Sequence, residues 1–371
     1  MWITTILHFF ADMATSIFQP LGPYFTEKFS VSPRVFAMTL YAVNLTSSML
    51  QPYFGLLSDR ITKRNIYLAI VISITLLSAY MISLATSFLM VVIFAFLAQL
   101  SNSAFHPMGA SIAGQGGKGK NIAFFTFAGM LGYATGPVFI TWYAQKYNLE
   151  GLHFLGITLF VIAIATIPRM KFFALEGRKK SKGSTLHVFK KLYPIVFYIA
   201  FRSFAMGLAQ IYGPLYVKLL GEELVVGGSL LTITRFVGMG LSFLGVYIRS
   251  KFSNHVVNIA SASAMTIFGL MFTLGPKDYI LPLFVAMLAP AYLSMSSNVA
   301  EAQYRVPESS GLASSLVMGM AWSMGSLMNL VFSSIFGNDV RFMISSFWIV
   351  SGVSLLFSIL DVFVSKSPEN D

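Results

Sequence analysis

Gly55-Leu56-Leu57-Ser58-Asp59-Arg60-Ile61-Thr62-Lys63-Arg64 is a short charged turn between two long apolar runs, 33–57 and 66–84. An α-helix rises about 1.5 Å per residue, so a run of about 20 apolar residues matches the ~30 Å hydrocarbon core of a bilayer. The same alternation continues outward in both directions. One run, 2–25, lies upstream; 87–113, 122–145 and 151–168 follow, then 193–217, 224–248, 256–275, 279–304, 312–337 and 340–364. This spacing predicts an all-α membrane protein with twelve transmembrane helices in two pseudo-symmetric six-helix bundles, 1–168 and 193–371, joined by a cytoplasmic linker, 169–192.

Composition agrees. Only 11% of the 371 residues are charged and 56% are hydrophobic, with a mean hydropathy of +0.73, whereas soluble chains are about 25% charged. The chain contains no cysteine, which excludes disulfides, thiolate metal sites and cysteine nucleophiles. A net charge of +11 raises the question of nucleic acid, but the basic residues flank apolar runs and form no continuous basic domain. Segment 2–25 has no basic leader and carries Asp12 inside it, so it reads as a retained first helix rather than a signal peptide.

Lys and Arg are enriched in cytoplasmic loops. One alternate set of loops and the linker holds 17 of them, the opposite set holds 6, and Arg202 and Arg235 lie within spans. Both termini are therefore expected on the cytoplasmic face of the cell (inner) membrane. The linker contains Arg178-Lys179-Lys180 with Gly and Ser punctuation, as an exposed connector does.

An internal repeat supports two halves. Gln19-Pro20-Leu21-Gly22-Pro23 recurs as Gln210-Ile211-Tyr212-Gly213-Pro214 at a shift of 191, and Gly129-Met130 as Gly319-Met320 at a shift of 190. Leu100-Ser101 matches Leu293-Ser294 at 193, and Gly55 falls opposite Gly245 at 190. Parallel repeats of six spans suit a rocker that alternates access around a central site.

The charged turn resembles the signature loop of the major facilitator superfamily. In that resemblance Gly55 allows close helix approach, Asp59 faces a helix N-terminus in the other half, and Arg60, Lys63 and Arg64 favour the inner surface, together forming a cytoplasmic gate. Thr62 departs from the family's usual glycine, and the second-half loop carries Arg249 where an acid would stand. His8-Phe9-Phe10-Ala11-Asp12, Ser47-Ser48-Met49-Leu50-Gln51-Pro52 and Ala104-Phe105-His106-Pro107 resemble the fosmidomycin-resistance-like branch. That branch usually has an acid after the last proline, where this chain has Met108. Gly132-Tyr133-Ala134-Thr135-Gly136-Pro137 resembles the antiporter motif of exporters, without its trailing glycines; Gly132, Gly136 and Pro137 read as a helix-packing motif.

Charged groups inside a bilayer cost at least about 2.5–3.5 kcal/mol on insertion scales, so they face a cavity or a partner. Asp12 lies about midway along the first run with His8 one turn earlier on the same face, which makes the pair a candidate for proton coupling. A structural ion pair between Asp12 and Arg202 is the alternative. His106 and Glu301, towards the cytoplasmic ends of their spans, are further proton-coupling candidates. Arg202 and Arg235 suit an anionic substrate or charge pairing. Tyr41, Asn44, Gln51, Asn102, Gln210 and Asn298 are candidates to line a cavity, with helix-to-helix hydrogen bonding as the other reading.

These readings converge on a secondary transporter working by alternating access, with proton-coupled export of a small amphipathic or anionic compound or drug as the leading expectation. Proton-coupled uptake of a small organic anion and a non-transporting receptor or scaffold are the alternatives. No catalytic motif appears in a suitable context, so no enzyme is expected. No cofactor and no metal site are read. The expected partners are a small-molecule substrate, protons and the lipid bilayer, with no nucleic acid, and the expected state is a monomer.

Overall fold

The computed structural model describes residues 2–114, 120–167 and 185–365. All regular elements among them are helical, and nine helices are long and apolar enough to cross a membrane. The expected all-α membrane architecture is therefore the one observed. The basic run Arg178-Lys179-Lys180 lies outside the described residues.

The first run folds as α1 (Trp2–Thr15) and α2 (Gly22–Lys28), with a turn between them rather than the single helix expected over 2–25. Pro20 and Pro23 cannot donate to a helical ladder, and the Ser16 hydroxyl turns back onto the Met13 carbonyl at 2.9 Å. Next come α3 (Pro33–Arg60), α4 (Arg64–Tyr80), α5 (Phe88–Gly114), α6 (Lys120–Tyr147) and α7 (Leu152–Thr166). Ser32 caps α3 through the Val35 amide, with Pro33 as its first residue, a position where the missing donor costs nothing.

The later helices are α8 (Thr185–Leu219), α9 (Leu224–Lys251) and α10 (Asn254–Leu274), followed by interrupted spans. The tenth run forms α11 (Ile280–Leu288) and α12 (Met295–Arg305), separated by a 3-10 turn at Ala289–Tyr292 that contains Pro290. The eleventh forms α13 (Ser310–Ser315), a π-helical turn (Leu316–Met320) and α14 (Ala321–Phe336); the last forms α15 (Val340–Ser345) and α16 (Phe347–Val364).

The chain divides into two compact units. Unit 1 comprises Met1–Arg178 and Val217–Thr232; unit 2 comprises Lys179–Tyr216 and Ile233–Asp371. In unit 1, α1 packs along α6 and also meets α4 and α5. The α1–α6 approach depends on small residues. A side chain at Gly132 would collide with the Phe9 carbonyl, and one at Gly136 would lie 2.7 Å from the Met13 carbonyl. The start of α9 is also tied to α6: Gln145 Nε2 donates to Glu223 at 2.8 Å, and the Val225 amide donates to Gln145 Oε1 at 3.2 Å.

Unit 2 has its own core, including Val188, Leu192, Ile195, Tyr198, Ile199 and Ala302. Its α10 packs against α11 and α16. The Pro290 break leaves carbonyls free of helical partners, and side chains take them up. Ser261 donates to the Pro290 carbonyl at 2.8 Å, and Arg202 Nη1 donates to the Ala291 carbonyl at 3.2 Å.

Candidate functional site

Three helices of unit 1 bring together the ionisable residues of the first and fourth apolar runs. His8 and Asp12 occupy one face of α1, a turn apart, and their Nε2 and Oδ2 atoms are 3.0 Å apart. His106, on α5, places Nε2 at 3.4 Å from Asp12 Oδ1. The third wall is α6, whose Phe125 carbonyl lies 2.8 Å from His8 Nδ1 and whose Phe125 ring stacks on the imidazole at 4.0 Å between centroids.

Asn102 completes the cluster one turn before His106. Its Nδ2 lies 3.0 Å from Asp12 Oδ1, 3.3 Å from Thr15 Oγ1 and 3.3 Å from His106 Nε2. Of the two readings given to Asn102, cavity lining and helix-to-helix hydrogen bonding, these contacts are of the second kind, joining α5 to α1 at the carboxylate. The side chains of His8, Asp12 and His106 are 6%, 14% and 33% exposed, so the cluster is closed around His8 and more open at His106.

The tautomer of His8 follows from geometry. A carbonyl only accepts, so Nδ1 carries the proton that bonds to Phe125. Nε2 and a carboxylate oxygen at 3.0 Å would then face each other as two lone pairs. A second proton relieves that contact, carried by the imidazole, by Asp12 or between them. Three titratable side chains and an amide are thereby gathered at one point between α1, α5 and α6.

Gly129 sets the space. A side chain there would overlap the His8 ring and come within 2.6 Å of Asp12 Oδ2, so this placement of His8 and Asp12 uses the space that a bare α6 leaves. Sequence reading placed Gly129 in the repeat but gave it no place in a site. The Phe125 carbonyl was also missed, since a backbone group leaves no signal in residue identity.

The other candidates lie elsewhere. Glu301 belongs to unit 2, where its carboxylate accepts from Arg249 at 3.0 Å and from Arg305 at 2.9 Å. Arg305 also forms a two-pronged bond with Asp361 at 2.7 and 2.9 Å, and His255 Nδ1 lies 3.0 Å from the same carboxylate. Asp361 is 1% exposed and holds α12, α10 and α16 together. Arg249, which stands where the second-half loop lacks an acid, finds that acid on α12.

Arg202 is 1% exposed, donating to Ser294 Oγ at 2.8 Å and lying over the rings of Tyr198 and Trp322. Arg235 and Tyr41 are also buried. Asn298 joins helices through Asn254, Asn258 and the Ser294 carbonyl, while Gln210 Nε2 meets Tyr292 at 3.4 Å. Asn44 and Gln51 are half-buried on α3. In the charged turn, a side chain at Gly55 would meet nothing within 4 Å among the described residues. Arg60 and Lys63 are exposed and Arg64 is half-buried; the side chain of Asp59 lies outside the described residues. Pro137 sits inside α6 with its carbonyl accepting from Thr141 at 2.8 Å.

A family model described as Major Facilitator Superfamily matches residues 4–328. Among solved structures, the nucleoside transporter NupG aligns with a TM-score of 0.78 at 13% identity, covering 98% of each chain. The D-xylose-proton symporter aligns with a TM-score of 0.75 at 14% identity, covering all of this chain and 98% of its own. A bacterial homologue of the human lysosomal transporter Spinster, inward-facing and unoccupied, aligns with a TM-score of 0.73 at 12% identity, covering 98% and 97%. Comparison with curated protein sequences gives no significant match.

Proposed function

The chain belongs to the Major Facilitator Superfamily, a transporter rather than an enzyme, and on that premise we propose that it exports a small amphipathic or anionic compound in exchange for protons. The observation that carries this reading is the His8–Asp12–His106 cluster. It is a set of titratable groups, closed around His8 and more open at His106, in which an imidazole nitrogen and a carboxylate oxygen stand 3.0 Å apart with room for one proton between them. In an alternating-access cycle, occupancy of that site by a proton biases the states to which cargo binds, and differential affinity supplies the coupling. The resemblance of Gly132–Pro137 to the antiporter motif supports the outward direction, as does the resemblance to the fosmidomycin-resistance-like branch. Efflux, drug resistance, an inner-membrane location with both termini cytoplasmic, and a monomeric state belong to the same proposal.

The test uses everted membrane vesicles and compounds selected by ligand-induced thermal stabilisation from phosphonates, lipophilic cations and common antibiotics. An inside-acid gradient drives accumulation of the cargo if the chain is a proton-coupled exporter. No response to a proton gradient of either sign removes the coupling.

Uptake of a small organic anion with protons is the second reading, and Arg202 favours it. Its described partners are a carbonyl, a hydroxyl and aromatic faces, so the guanidinium is left without a carboxylate among the described residues. Accumulation under an outside-acid gradient would select this reading.

A further inference from the structure

We infer that the His8–Asp12–His106 cluster is also a binding site for a divalent transition-metal ion of the zinc and cobalt class. The inference builds on the reading of this cluster as a cation site, and names a second kind of cation that it takes.

The donor set is the first argument. Two imidazole nitrogens and one carboxylate oxygen form an N2O set of the kind that borderline dications prefer, and one ligand atom from each residue lies within 4.8 Å of the others. Tetrahedral ligands at about 2.0–2.1 Å from a metal stand about 3.3 Å from each other. His8 Nε2 lies 3.0 Å from Asp12 Oδ2 and His106 Nε2 lies 3.4 Å from Asp12 Oδ1, so each imidazole already stands at about ligand–ligand distance from one oxygen of the carboxylate, and a small contraction of the cluster brings all three donors onto one ion.

The second argument is orientation. Metal-bound histidines usually donate their other ring N–H to a carbonyl or carboxylate, which fixes the tautomer and aims the remaining lone pair. His8 does this through Nδ1 and the Phe125 carbonyl at 2.8 Å, leaving Nε2 turned into the cluster. That Nε2 is buried and makes no aligned hydrogen bond, although Asp12 Oδ2 is 3.0 Å away. Asn102 Oδ1 is likewise buried without a hydrogen bond, one turn from His106, and Thr15 Oγ1 lies 3.3 Å from Asn102 Nδ2.

The third argument is access and rigidity. The His8 side is closed by the rings of Phe105 and Phe125, whereas His106 is one-third exposed, so a hydrated ion has a side from which to enter and shed water. Occupation requires the proton between His8 and Asp12 to leave, because the ion takes the same lone pairs. Metal and proton therefore exclude each other at this site.

Cobalt(II) titration of the purified, chelator-stripped full-length chain in detergent tests the inference, because low-coordinate cobalt absorbs visibly and hydrated cobalt very weakly. The expected result is saturable uptake of one ion per chain with a d–d absorption band. Asp12→Asn and His106→Gln should each weaken binding about tenfold or more, and His153→Gln should not. Size-exclusion behaviour and thermal unfolding of each variant confirm that it is folded. Wild-type protein that takes up no cobalt, or that binds equally well as Asp12→Asn and His106→Gln, overturns the site. Proton-driven transport measured in chelator distinguishes the two readings: its absence alongside cobalt binding removes proton coupling and leaves the metal site, and its presence without cobalt binding does the reverse.

Discussion

His8 Nε2 lies 3.0 Å from Asp12 Oδ2 while its Nδ1 is held 2.8 Å from the carbonyl of Phe125 on a neighbouring helix. One ring nitrogen is thereby committed to backbone, and the other is presented to a carboxylate one helical turn away. The relationship fixes a titratable pair on a largely apolar helix, and the behaviour of several variants follows from it.

Gly129 is the residue that makes room for this arrangement. Gly129→Ala inserts a methyl group against the His8 ring and within 2.6 Å of Asp12 Oδ2, so overpacking of about 1–3 kcal/mol is expected. Thermal unfolding in detergent should shift downward and proton-driven transport should fall. Gly55→Ala is the contrast. Open space surrounds that position, so unfolding should stay unchanged or improve by up to about 1 kcal/mol.

The lattice on unit 2 is structural. Asp361 is 1% exposed and accepts both prongs of Arg305. Removing one partner of a buried pair leaves the other uncompensated, so Arg305→Met should cost about 3 kcal/mol. Equilibrium unfolding of Arg305→Met, Asp361→Asn and the double variant should show a double loss well below the sum of the singles. Additive losses would show that the two groups do not act together.

Arg202 holds the broken tenth span through the Ala291 carbonyl and Ser294. Arg202→Met strips a buried carbonyl of its donor, at a cost of about 1–3 kcal/mol. Amide exchange across 289–294 should accelerate, while exchange in α4 stays as it was. Unchanged exchange across 289–294 would mean that the proline turn is held by Ser261 and its neighbours alone.

Most of the fold was legible because a bilayer imposes a coarse rule: long apolar runs between charged turns read directly as helices. The breaks were harder. The first run was expected as one helix because hydropathy averages over Pro20 and Pro23, whereas the backbone responds to each missing donor. His8 and Asp12 were readable as a pair because i and i+4 share a face. Asn102 and His106 were noted separately, and only packing brings them to Asp12. Glu301 reads from sequence as a proton-coupling candidate near the cytoplasmic end of its span, and only packing shows that Arg249 and Arg305, distant and near in sequence, share its carboxylate. Gly129 and the Phe125 carbonyl were beyond residue-type reasoning: the first acts by lacking a side chain, and the second belongs to the backbone.

The central claim is that Asp12 carries the coupling charge, and the most direct test is proton movement in proteoliposomes containing wild-type or Asp12→Asn protein at matched orientation and density. An internal pH dye should report cargo-dependent proton flux for wild type. For Asp12→Asn that flux should fall at least about tenfold, with the unfolding temperature retained. Asp12→Asn protein that moves protons with cargo as wild type does would contradict the account.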